Sequence, residues 1–353
     1  MPTLALAGGT SPSLGRAIFM AILDDTGLSQ WDVVILSRSD RIPAWLRAVD
    51  EEARRYSVYV VDYLSIDSLV TALNGVDTVV SVTSAFDGTQ AQIQINLLHA
   101  AVKAGCRRYA PSQWGYGFKA REEIGLLRHE FHGVLEECIK HKDRIEFANF
   151  NQGSFMNYIG HGIFPMPEPV LDDASNLKQL REGRGYKRGE DAACQGLQRQ
   201  GPLSDTSGAF LIGMRNGIAE LPLRDDGKWP RITFTAMRDV GRFVAAALNL
   251  QKWEIEMSMV GETLTMGELL AHAEDVAQRK MQVKVLKRED LEKKLATTPQ
   301  DDFMGLMWTE FHLAYIRDQD DEAVLQPVLN RLCPQVKPIG VREYMEKHWN
   351  EDS

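Results

Sequence analysis

The chain has 353 residues, of which 44% are hydrophobic and 25% are charged, and its formal net charge is -9 at pH 7. This composition is ordinary for a globular protein with one large core or two smaller ones. The excess of acidic residues argues against nucleic acid as the main partner, because phosphate backbones bind to basic surfaces. No run of about 18 apolar residues is present, so we expect no membrane span and no membrane partner.

The cysteines and the start of the chain favour a reducing compartment. Cys106, Cys138, Cys194 and Cys333 lie far apart and form no Cys-x-x-Cys pair, which is neither a disulfide nor a zinc pattern. The first predicted strand begins at residue 3, which leaves no room for a signal peptide. We therefore expect a cytoplasmic protein, a monomer or a homodimer, without a bound metal.

Short apolar runs alternate with helical patterns over the first 155 residues. The predicted strands are Leu4–Ala7, Val33–Ser37, Ser57–Val61, Thr78–Val82, Arg108–Pro111 and Phe147–Asn151. The predicted helices are Leu14–Asp24, Ala44–Arg55, Ile66–Leu73, Gln90–Ala104 and Glu122–His141. Strands rich in Val and Ile that alternate with helices are typical of right-handed βαβ units around a buried parallel sheet. The sequence predicts a Rossmann-type, doubly wound α/β fold.

The alternation stops after residue 155. Residues 171–205 are mixed in charge and poor in large apolar groups, which predicts a mobile loop. A strand and a helix return over 231–250. We therefore assign 1–155 to a nucleotide-binding domain, with 228–260 returning to it. Residues 156–227 and 261–353 are assigned to a smaller C-terminal α/β region that binds substrate.

The opening stretch "LALAGGTSPSLGRAI" is a strand, a Gly-rich turn and a helix start. Such a turn lets the backbone approach a pyrophosphate, and the helix N-terminus supplies N–H donors. Ser11 and Ser13 stand where the usual G-x-G-x-x-G pattern has glycine, but their hydroxyls can donate to phosphate. The alternative is a tight turn with a Ser or Thr helix cap. The predicted phosphate-binding residues are Gly8, Gly9, Thr10, Ser11, Pro12, Ser13 and Leu14.

The end of the second strand indicates which nicotinamide cofactor this turn binds. An NAD site usually places an Asp or Glu there for the ribose 2′-hydroxyl, whereas "LSRS" supplies Arg38 and Ser39. A guanidinium suits a 2′-phosphate, so we predict NADPH/NADP+ as the cofactor. Asp62 and Tyr63, after the third strand, are placed at the adenine. The alternatives are a solvated Arg38 and an Asp62 that caps the next helix.

Several motifs resemble the NmrA-like and isoflavone-reductase-like branch of the atypical short-chain dehydrogenases. They are "AGGTSPSLG", "LSRS", "SVTS", "AGCRRYAPSQWG", "NFNQGSF" and "FTAMRDVGRFVAAAL". The resemblance covers about half of the chain. It implies a Rossmann domain with a small C-terminal substrate domain, and NADPH-dependent reduction of bulky, often aromatic natural products. Other members of this branch are redox-sensing regulators that catalyse nothing.

The chain departs from the catalytic pattern of these relatives. None of its tyrosines has a lysine four residues later, as the Tyr-x-x-x-Lys pair of short-chain dehydrogenases requires. The isoflavone-reductase branch uses a lysine on the helix after strand five, and aligning that helix places Arg128 there. We predict that Arg128 faces the cofactor, where it would stabilise developing negative charge. Acid–base work would fall to His129 or His132, and the alternative is that all three lie on the surface.

Ligands of doubly wound folds lie beyond the carboxyl ends of the strands. The residues predicted around the nicotinamide are Thr83, Ser84, Phe86, Gln113, Asn151, Gln152 and Gly153. Those predicted to bind substrate are Trp114, Phe155, Tyr158, His161, Phe164, Met307, Trp308 and Phe311. Aromatic and methionine side chains suit a large apolar ligand, although the last three also show the spacing of a helix core. These segments carry few cations, so we do not expect an acidic substrate.

Together these features predict an NADPH-dependent reductase of a bulky aromatic or alkaloid-like secondary metabolite. Hydride would be added to an activated C=C, C=N or C=O bond, and the reduction could be coupled to a cyclisation. Two alternatives remain open. One is a non-catalytic regulator that senses NADP(H), and the other is a redox-neutral cyclase or isomerase that uses NADP as a scaffold.

Overall fold

A six-stranded parallel sheet forms the first half of the molecule. The structure is a computed structural model, and it describes residues 1–50, 52, 54–85, 87–159, 174–186, 211–214, 217–318, 321 and 323–349. Its strands are β1 (Thr3–Ala7), β2 (Asp32–Ser37), β3 (Tyr56–Val60), β4 (Thr78–Ser81), β5 (Arg108–Ala110) and β6 (Glu146–Phe147). Their order is β3-β2-β1-β4-β5-β6, and every neighbouring pair is parallel. This order reverses between β1 and β4, which is where doubly wound folds bind their ligands. The predicted Rossmann-type fold is confirmed.

Helices cover both faces of this sheet. They are α1 (Leu14–Asp24), α2 (Ala44–Val49), α3 (Ile66–Ala72), α4 (Gln90–Ala104), α5 (Phe118–Glu122) and α6 (Gly125–Lys140), with a 3-10 turn at Thr26–Leu28. Side chains alternate across β1. Leu4 and Leu6 pack with α1, whereas Ala5 and Ala7 belong to the core on the face of α3, α4 and α6. This alternation follows from the two-residue period of a strand and buries both faces of the sheet.

Two predicted helices differ from the observed ones. The helix predicted at 44–55 ends at Val49, because the carboxylate of Asp50 accepts the N–H groups of Arg54 and Arg55 and holds the chain in a turn. The helix predicted at 122–141 is α6, which begins three residues later at Gly125, and a separate short helix, α5, ends at Glu122. The break lies at Ile124, whose extended backbone (φ -104°, ψ 94°) precedes the first turn of α6.

Short strands and helices complete the chain. The strands are β7 (Asn149–Asn151), β8 (Ser154–Phe155), β9 (Ile212–Gly213), β10 (Ile218–Pro222), β11 (Arg231–Thr235), β12 (Glu256–Ser258), β13 (Glu262–Thr265) and β14 (Gln282–Leu286). The helices are α7 (Ala174–Glu182), α8 (Met237–Leu248), α9 (Met266–Val276), α10 (Arg288–Thr297), α11 (Phe303–Arg317), α12 (Val328–Leu332) and α13 (Val341–Trp349), with a 3-10 turn at Met156–Tyr158. The strands form small sheets of order β14-β10-β9, β13-β11-β8 and β12-β7.

The strand predicted at 147–151 is split. β6 ends at Phe147 in the large sheet, and β7 then pairs in parallel with β12. The change of partner carries the chain off the edge of the large sheet and directs residues 152–158 toward the carboxyl ends of the strands.

The second half returns to the first through α8, which packs on α1. The contact is very close at Gly241, where a Cβ would lie 2.2 Å from the carbonyl oxygen of Ala17. Any side chain at this position would push the two helices apart, so glycine is required there. The 231–250 segment was predicted as one strand and one helix, and both are observed as β11 and α8.

The stretch predicted as a mobile loop, 171–205, contains a helix within residues 174–186, and its mobility stays a prediction. Residues 174–182 form α7, whose Leu177 and Leu180 pack into the core formed with α1 and α2. Tyr186 then lies between the guanidinium groups of Arg16 and Arg238, at 4.2 and 3.9 Å from the ring centroid. An apolar helix face and two cation–π contacts hold this stretch in place. The remainder, 187–205, lies outside the described residues.

Candidate active site

A cavity of about 480 Å³ opens at the carboxyl ends of β1, β4 and β5. It extends from the start of α1 to α5, α6 and α11. The lining residues are Ser13, Leu14, Val82, Thr83, Ser84, Ala85, Gly88, Gln90, Ala91, Gln94, Ser112, Gln113, Trp114, Arg121, Phe131, Val134, Phe155, Tyr158, Met237 and Met307. The cavity lies at the switch point of the sheet, as the fold predicts.

The Gly-rich turn after β1 is held from two sides. Gly8 has a left-handed backbone (φ +77°), and a Cβ there would lie 3.1 Å from the backbone nitrogen of Thr83. Its N–H donates to the carbonyl of Leu36 (3.0 Å) and to the hydroxyl of Tyr63 (3.0 Å). Tyr63, which was predicted to bind the cofactor, instead lies buried beneath the turn and donates its own proton to Leu36 (2.8 Å). Burial also raises the pKa of the Tyr63 hydroxyl, so the proton stays in place.

The start of α1 lies directly against this turn. A Cβ on Gly15 would lie 2.8 Å from the carbonyl oxygen of Gly9, so this third glycine, which the sequence analysis did not single out, brings the helix close to the turn. The hydroxyls of Ser11 and Ser13 lie 2.7 Å apart, and Ser13 lines the cavity. The first N–H groups of any helix have no partner within it, so this end of the cavity offers donors to an anion.

Arg38 and Ser39 are exposed where β2 ends, beside the turn. Hydrogen bonds from Thr89 lower the pKa of Asp87, and the charge of Arg38 adds to this effect, so Arg38 lies close to the loop that follows β4. Asp62 does not cap a helix. Its exposed carboxylate accepts the N–H of Leu64 (2.9 Å), while Ser65 caps α3.

Thr83 is the centre of a hydrogen-bond network on the cavity wall. Its carbonyl accepts from Gln90 (3.0 Å) and from the Ser112 hydroxyl (2.8 Å), and its hydroxyl accepts from Gln94 (2.8 Å). Ser84 is exposed at the rim, and Phe86 lies outside the described residues. The side-chain oxygens of Gln90 and Gln113 are buried and have no hydrogen-bond partner among the described residues. Both residues line the cavity.

Residues 151–153 were predicted around the nicotinamide, but they lie behind the described cavity wall and support it. Gln152 accepts the N–H of Gly115 (2.7 Å), which fixes the loop after β5. Gly153 is left-handed (φ +68°), and a Cβ there would lie 2.3 Å from the carbonyl oxygen of Thr233. Asn151 is buried, and its side-chain oxygen accepts from Arg121 (3.0 Å).

Arg121, on α5, is the functional candidate that sequence reasoning missed. It is 4% exposed, lines the cavity, and places its guanidinium carbon 4.3 Å from the centroid of the Phe131 ring. Its Nη2 donates to the carbonyl of Gln113 and to Asn151. In "GFKAREEIG", the first and last residues are Gly117 and Gly125. Because glycine favours helix ends, these two glycines are the signal for a separate short helix between them.

The structure does not bring the predicted catalytic residues to the cavity. Arg128 is exposed and donates to the carbonyl of Glu122 (2.7 Å) at the surface. His132 is 42% exposed and lies 3.9 Å from the carboxylate of Glu122. The side chain of His129 lies outside the described residues.

Of the predicted substrate residues, Trp114, Phe155, Tyr158 and Met307 line the cavity. Trp114 donates its indole N–H to the carbonyl of Ser81 (3.0 Å) and stacks on Phe150. His161 and Phe164 lie outside the described residues.

Trp308 and Phe311 do not line the described cavity. Their ring centroids are 5.7 Å apart, and Phe311 also packs against Tyr116 (5.6 Å) in the second core. The helical spacing of α11 therefore reflects core packing at these two positions, while Met307 lines the cavity.

Three side chains between α4 and α6 could hold a metal ion, away from this cavity. Glu137 bonds to His99 (2.9 Å) and lies 3.5 Å from a nitrogen of His141. Lys140 also donates to Glu137 (2.8 Å), and these two hydrogen bonds lower the pKa of that carboxylate to about 2. The prediction that the protein binds no metal remains a prediction. No helix among the described residues is long and apolar enough to cross a membrane.

Several known proteins resemble this chain in sequence. Residues 3–125 match the NmrA-like family. Oxidoreductase BOA1 of Botryotinia fuckeliana (strain B05.10) is 26% identical over 269 residues, which cover 74% of this chain and 71% of that protein. Oxidoreductase swnN of Metarhizium robertsii (strain ARSEF 23 / ATCC MYA-3075) is 36% identical over 123 residues, which cover only 34% of this chain and 33% of that protein.

Solved structures resemble the whole chain. The structure of AtPrR2 with NADP+ and (+)pinoresinol has a TM-score of 0.67 at 17% identity and covers 98% of both chains. Leucoanthocyanidin reductase from Vitis vinifera, in its binary complex with NADPH, has a TM-score of 0.65 at 16% identity and covers 98% of this chain and 99% of that one. At such identities the likeness establishes the fold. Taken with the match of residues 3–125 and with the curated relatives that are called oxidoreductases, it confirms the resemblance to the NmrA-like and isoflavone-reductase-like proteins that the motifs indicated.

Proposed function

We propose that this protein is an NADPH-dependent reductase of a bulky aromatic or alkaloid-like secondary metabolite. The observation that carries the proposal is the cavity, which joins a phosphate-binding turn to an apolar, aromatic wall. One end offers Ser13 and the start of α1, and the other offers Phe131, Phe155 and Met307. A dinucleotide and a large flat ligand would meet between these ends.

The residues present fit NADPH. Gly8 keeps the turn free of side-chain atoms, and the start of α1 offers donors to a pyrophosphate. Arg38 is exposed at the end of β2, where a 2′-phosphate would lie, and its charge suits that group. The buried oxygen of Gln113 has no partner among the described residues, and the amide group of a nicotinamide could donate to it. When bound, the cofactor would supply a hydride from C4 of its nicotinamide.

The names of the relatives support the same cofactor and reaction type. AtPrR2 and leucoanthocyanidin reductase were solved with NADP+ and NADPH, respectively, and AtPrR2 also with (+)pinoresinol, an aromatic compound. BOA1 and swnN are called oxidoreductases.

The cavity wall would act mainly by positioning and by excluding water. Aromatic and methionine side chains orient a flat ligand against the nicotinamide, which lowers the entropic part of the barrier. Among the described lining residues, Arg121 and Tyr158 carry the ionisable side chains. The wall therefore provides little acid–base machinery, which favours an acceptor that is already activated.

Isotope transfer tests this proposal directly. The protein would be incubated with NADPH deuterated at C4, in each stereochemical form, and with a panel of aromatic metabolites, and the products would be analysed by mass spectrometry. We expect deuterium from one of the two forms in a product. A product that forms only with cofactor but lacks deuterium would replace the reductase by a cyclase or isomerase. Tight NADPH binding with no product from a broad panel would favour a regulator.

A further inference from the structure

The guanidinium of Arg121 is buried in the cavity wall and only partly used. Its two hydrogen bonds, to Gln113 and Asn151, both come from Nη2. Among the residues that the structure describes, Nε and Nη1 donate to no protein atom. Since Arg121 lines the cavity, these are the donors that remain for a ligand.

The charge of Arg121 also lacks a direct partner. Burial lowers the pKa of its guanidinium to about 9, and the charge of Glu256 opposes this shift. The group therefore remains a cation at neutral pH. Glu256 itself accepts the N–H of Phe118 (2.8 Å), and no ion pair between Arg121 and a carboxylate occurs among the described residues. Burying a cation without a bonded anion is costly, so such a group is expected where a ligand presents an acceptor atom that carries or gains negative charge.

Arg108 shows what a structural arginine looks like in this chain. It is also fully buried, but it pairs with Glu146 and donates to the carbonyls of Leu248 and Leu250 through its two remaining nitrogens. Every nitrogen of Arg108 is satisfied within the protein. By contrast, Arg121 uses one nitrogen for hydrogen bonds to described protein atoms, and the residue lines a cavity.

We propose that Arg121 binds the acceptor oxygen of the substrate, and that the substrate is therefore a conjugated carbonyl compound. This inference rests on the proposed reductase function and narrows it. Addition of a hydride to the β-carbon breaks the C=C bond, and its electron pair moves to the carbonyl oxygen as an enolate. Arg121 donates hydrogen bonds to this oxygen and keeps its own protons. The α-carbon then takes a proton from water, so that the substrate gains H⁻ and H⁺ in total.

The positive charge of Arg121 also distinguishes between an iminium and a carbonyl group as the acceptor of the hydride. An iminium ion is a cation, and placing it beside a buried guanidinium costs Coulomb energy in a poorly solvated site. A carbonyl oxygen instead gains negative charge as the reaction proceeds, so its attraction to Arg121 grows toward the transition state. The sequence analysis expected few cations in the segments around the site, and Arg121 is the one cationic side chain among the described residues that line the cavity.

A chromogenic phenol tests the inference without turnover. 4-Nitrophenol would be bound to the NADP+ complex and to the protein alone, and its phenol and phenolate forms distinguished by absorbance across a pH series. We expect the wild-type protein to lower the pKa of the bound phenol by about one unit, that is, to bind the phenolate about tenfold more tightly than the phenol. Arg121→Gln should abolish this preference, and Arg121→Lys should restore part of it.

Lys119→Gln is the matched control, because Lys119 is exposed on the same helix and its removal changes the net charge equally. It should leave the phenolate preference and NADPH affinity unchanged. Circular dichroism and NADPH affinity of Arg121→Gln report whether the wall is still folded. If folded Arg121→Gln keeps the phenolate preference, or if wild type shows none, the inference is overturned. Failure of the wild-type protein to bind NADPH would instead remove the reductase function itself.

Discussion

The two ends of the cavity are built in different ways. The cofactor end is formed by backbone and small hydroxyls at the starts and ends of regular elements, as at Gly8 and Ser13. The acceptor end is formed by side chains from α5, α6, β8 and α11, which are far apart in the chain, as with Arg121 and Met307. The first end therefore depends on local backbone geometry, whereas the second depends on how distant segments pack. This difference indicates which substitutions should alter cofactor binding and which should alter substrate choice.

The largest effect is expected at the backbone of the cofactor end. In Gly8→Ala, the left-handed backbone and the 3.1 Å approach to Thr83 would force the turn to move. We expect NADPH affinity to fall about thirtyfold, or about 2 kcal/mol, from the cost of this conformation for a residue with a Cβ. Isothermal titration calorimetry measures it. Gly75→Ala is the control, since Gly75 is equally left-handed (φ +78°) but has no atom within 4 Å of a Cβ. Equal affinities for the two variants would contradict the assignment of this turn.

The next effect is expected on cofactor choice rather than on binding in general. Arg38→Ala should lower the affinity for NADPH about tenfold and leave that for NADH unchanged, because only NADPH carries the 2′-phosphate. Added salt should shrink the difference, since Arg38 is exposed. Arg41→Ala removes an exposed cation three residues later and serves as the control. An equal loss for both cofactors would show that Arg38 does not bind the 2′-phosphate.

At the acceptor end, a smaller and more selective effect is expected from Met307→Ala. Met307 lines the cavity and is partly buried, so shortening it removes roughly 1 kcal/mol of apolar contact with a bulky acceptor. KM for that acceptor should rise about fivefold while NADPH affinity stays the same. Steady-state kinetics with a large and a small acceptor separate these effects. A matching change in NADPH affinity would mean that the two ends of the cavity are not independent.

The smallest effect is expected at the cation that sequence alignment favoured. Arg128 is exposed and bonds to the carbonyl of Glu122, so Arg128→Gln should change turnover by less than about twofold. The contrast with Arg121→Gln compares two arginines seven residues apart on consecutive helices. A large loss of turnover in Arg128→Gln, with NADPH affinity intact, would return the catalytic role to Arg128.

Much of the fold could be predicted because its signals are local. The predicted bounds of α1 and α4 agree with the observed ones, and the strands agree within one residue from β1 to β5. Tyr63 and residues 151–153 lie near the predicted region but are not among the residues that line the described cavity. They lie at strand ends, as predicted, but their side chains or backbones support the turn and the loop after β5 from behind. Position along a strand predicts the edge at which a residue lies, but not whether it faces the ligand or the core.

By itself, the sequence determined the alternation of strands and helices and the glycine turn after the first strand. These follow from hydrophobic period, β-branched residues and backbone freedom, all of which act over a few residues. Only the tertiary structure decided which cation lines the cavity. That choice depends on the break at Ile124, which separates α5 from α6, and on the packing of Arg121 against Asn151 and Phe131. Contacts between distant segments determine which cation lines the cavity, and the sequence pattern of a single segment does not predict such contacts.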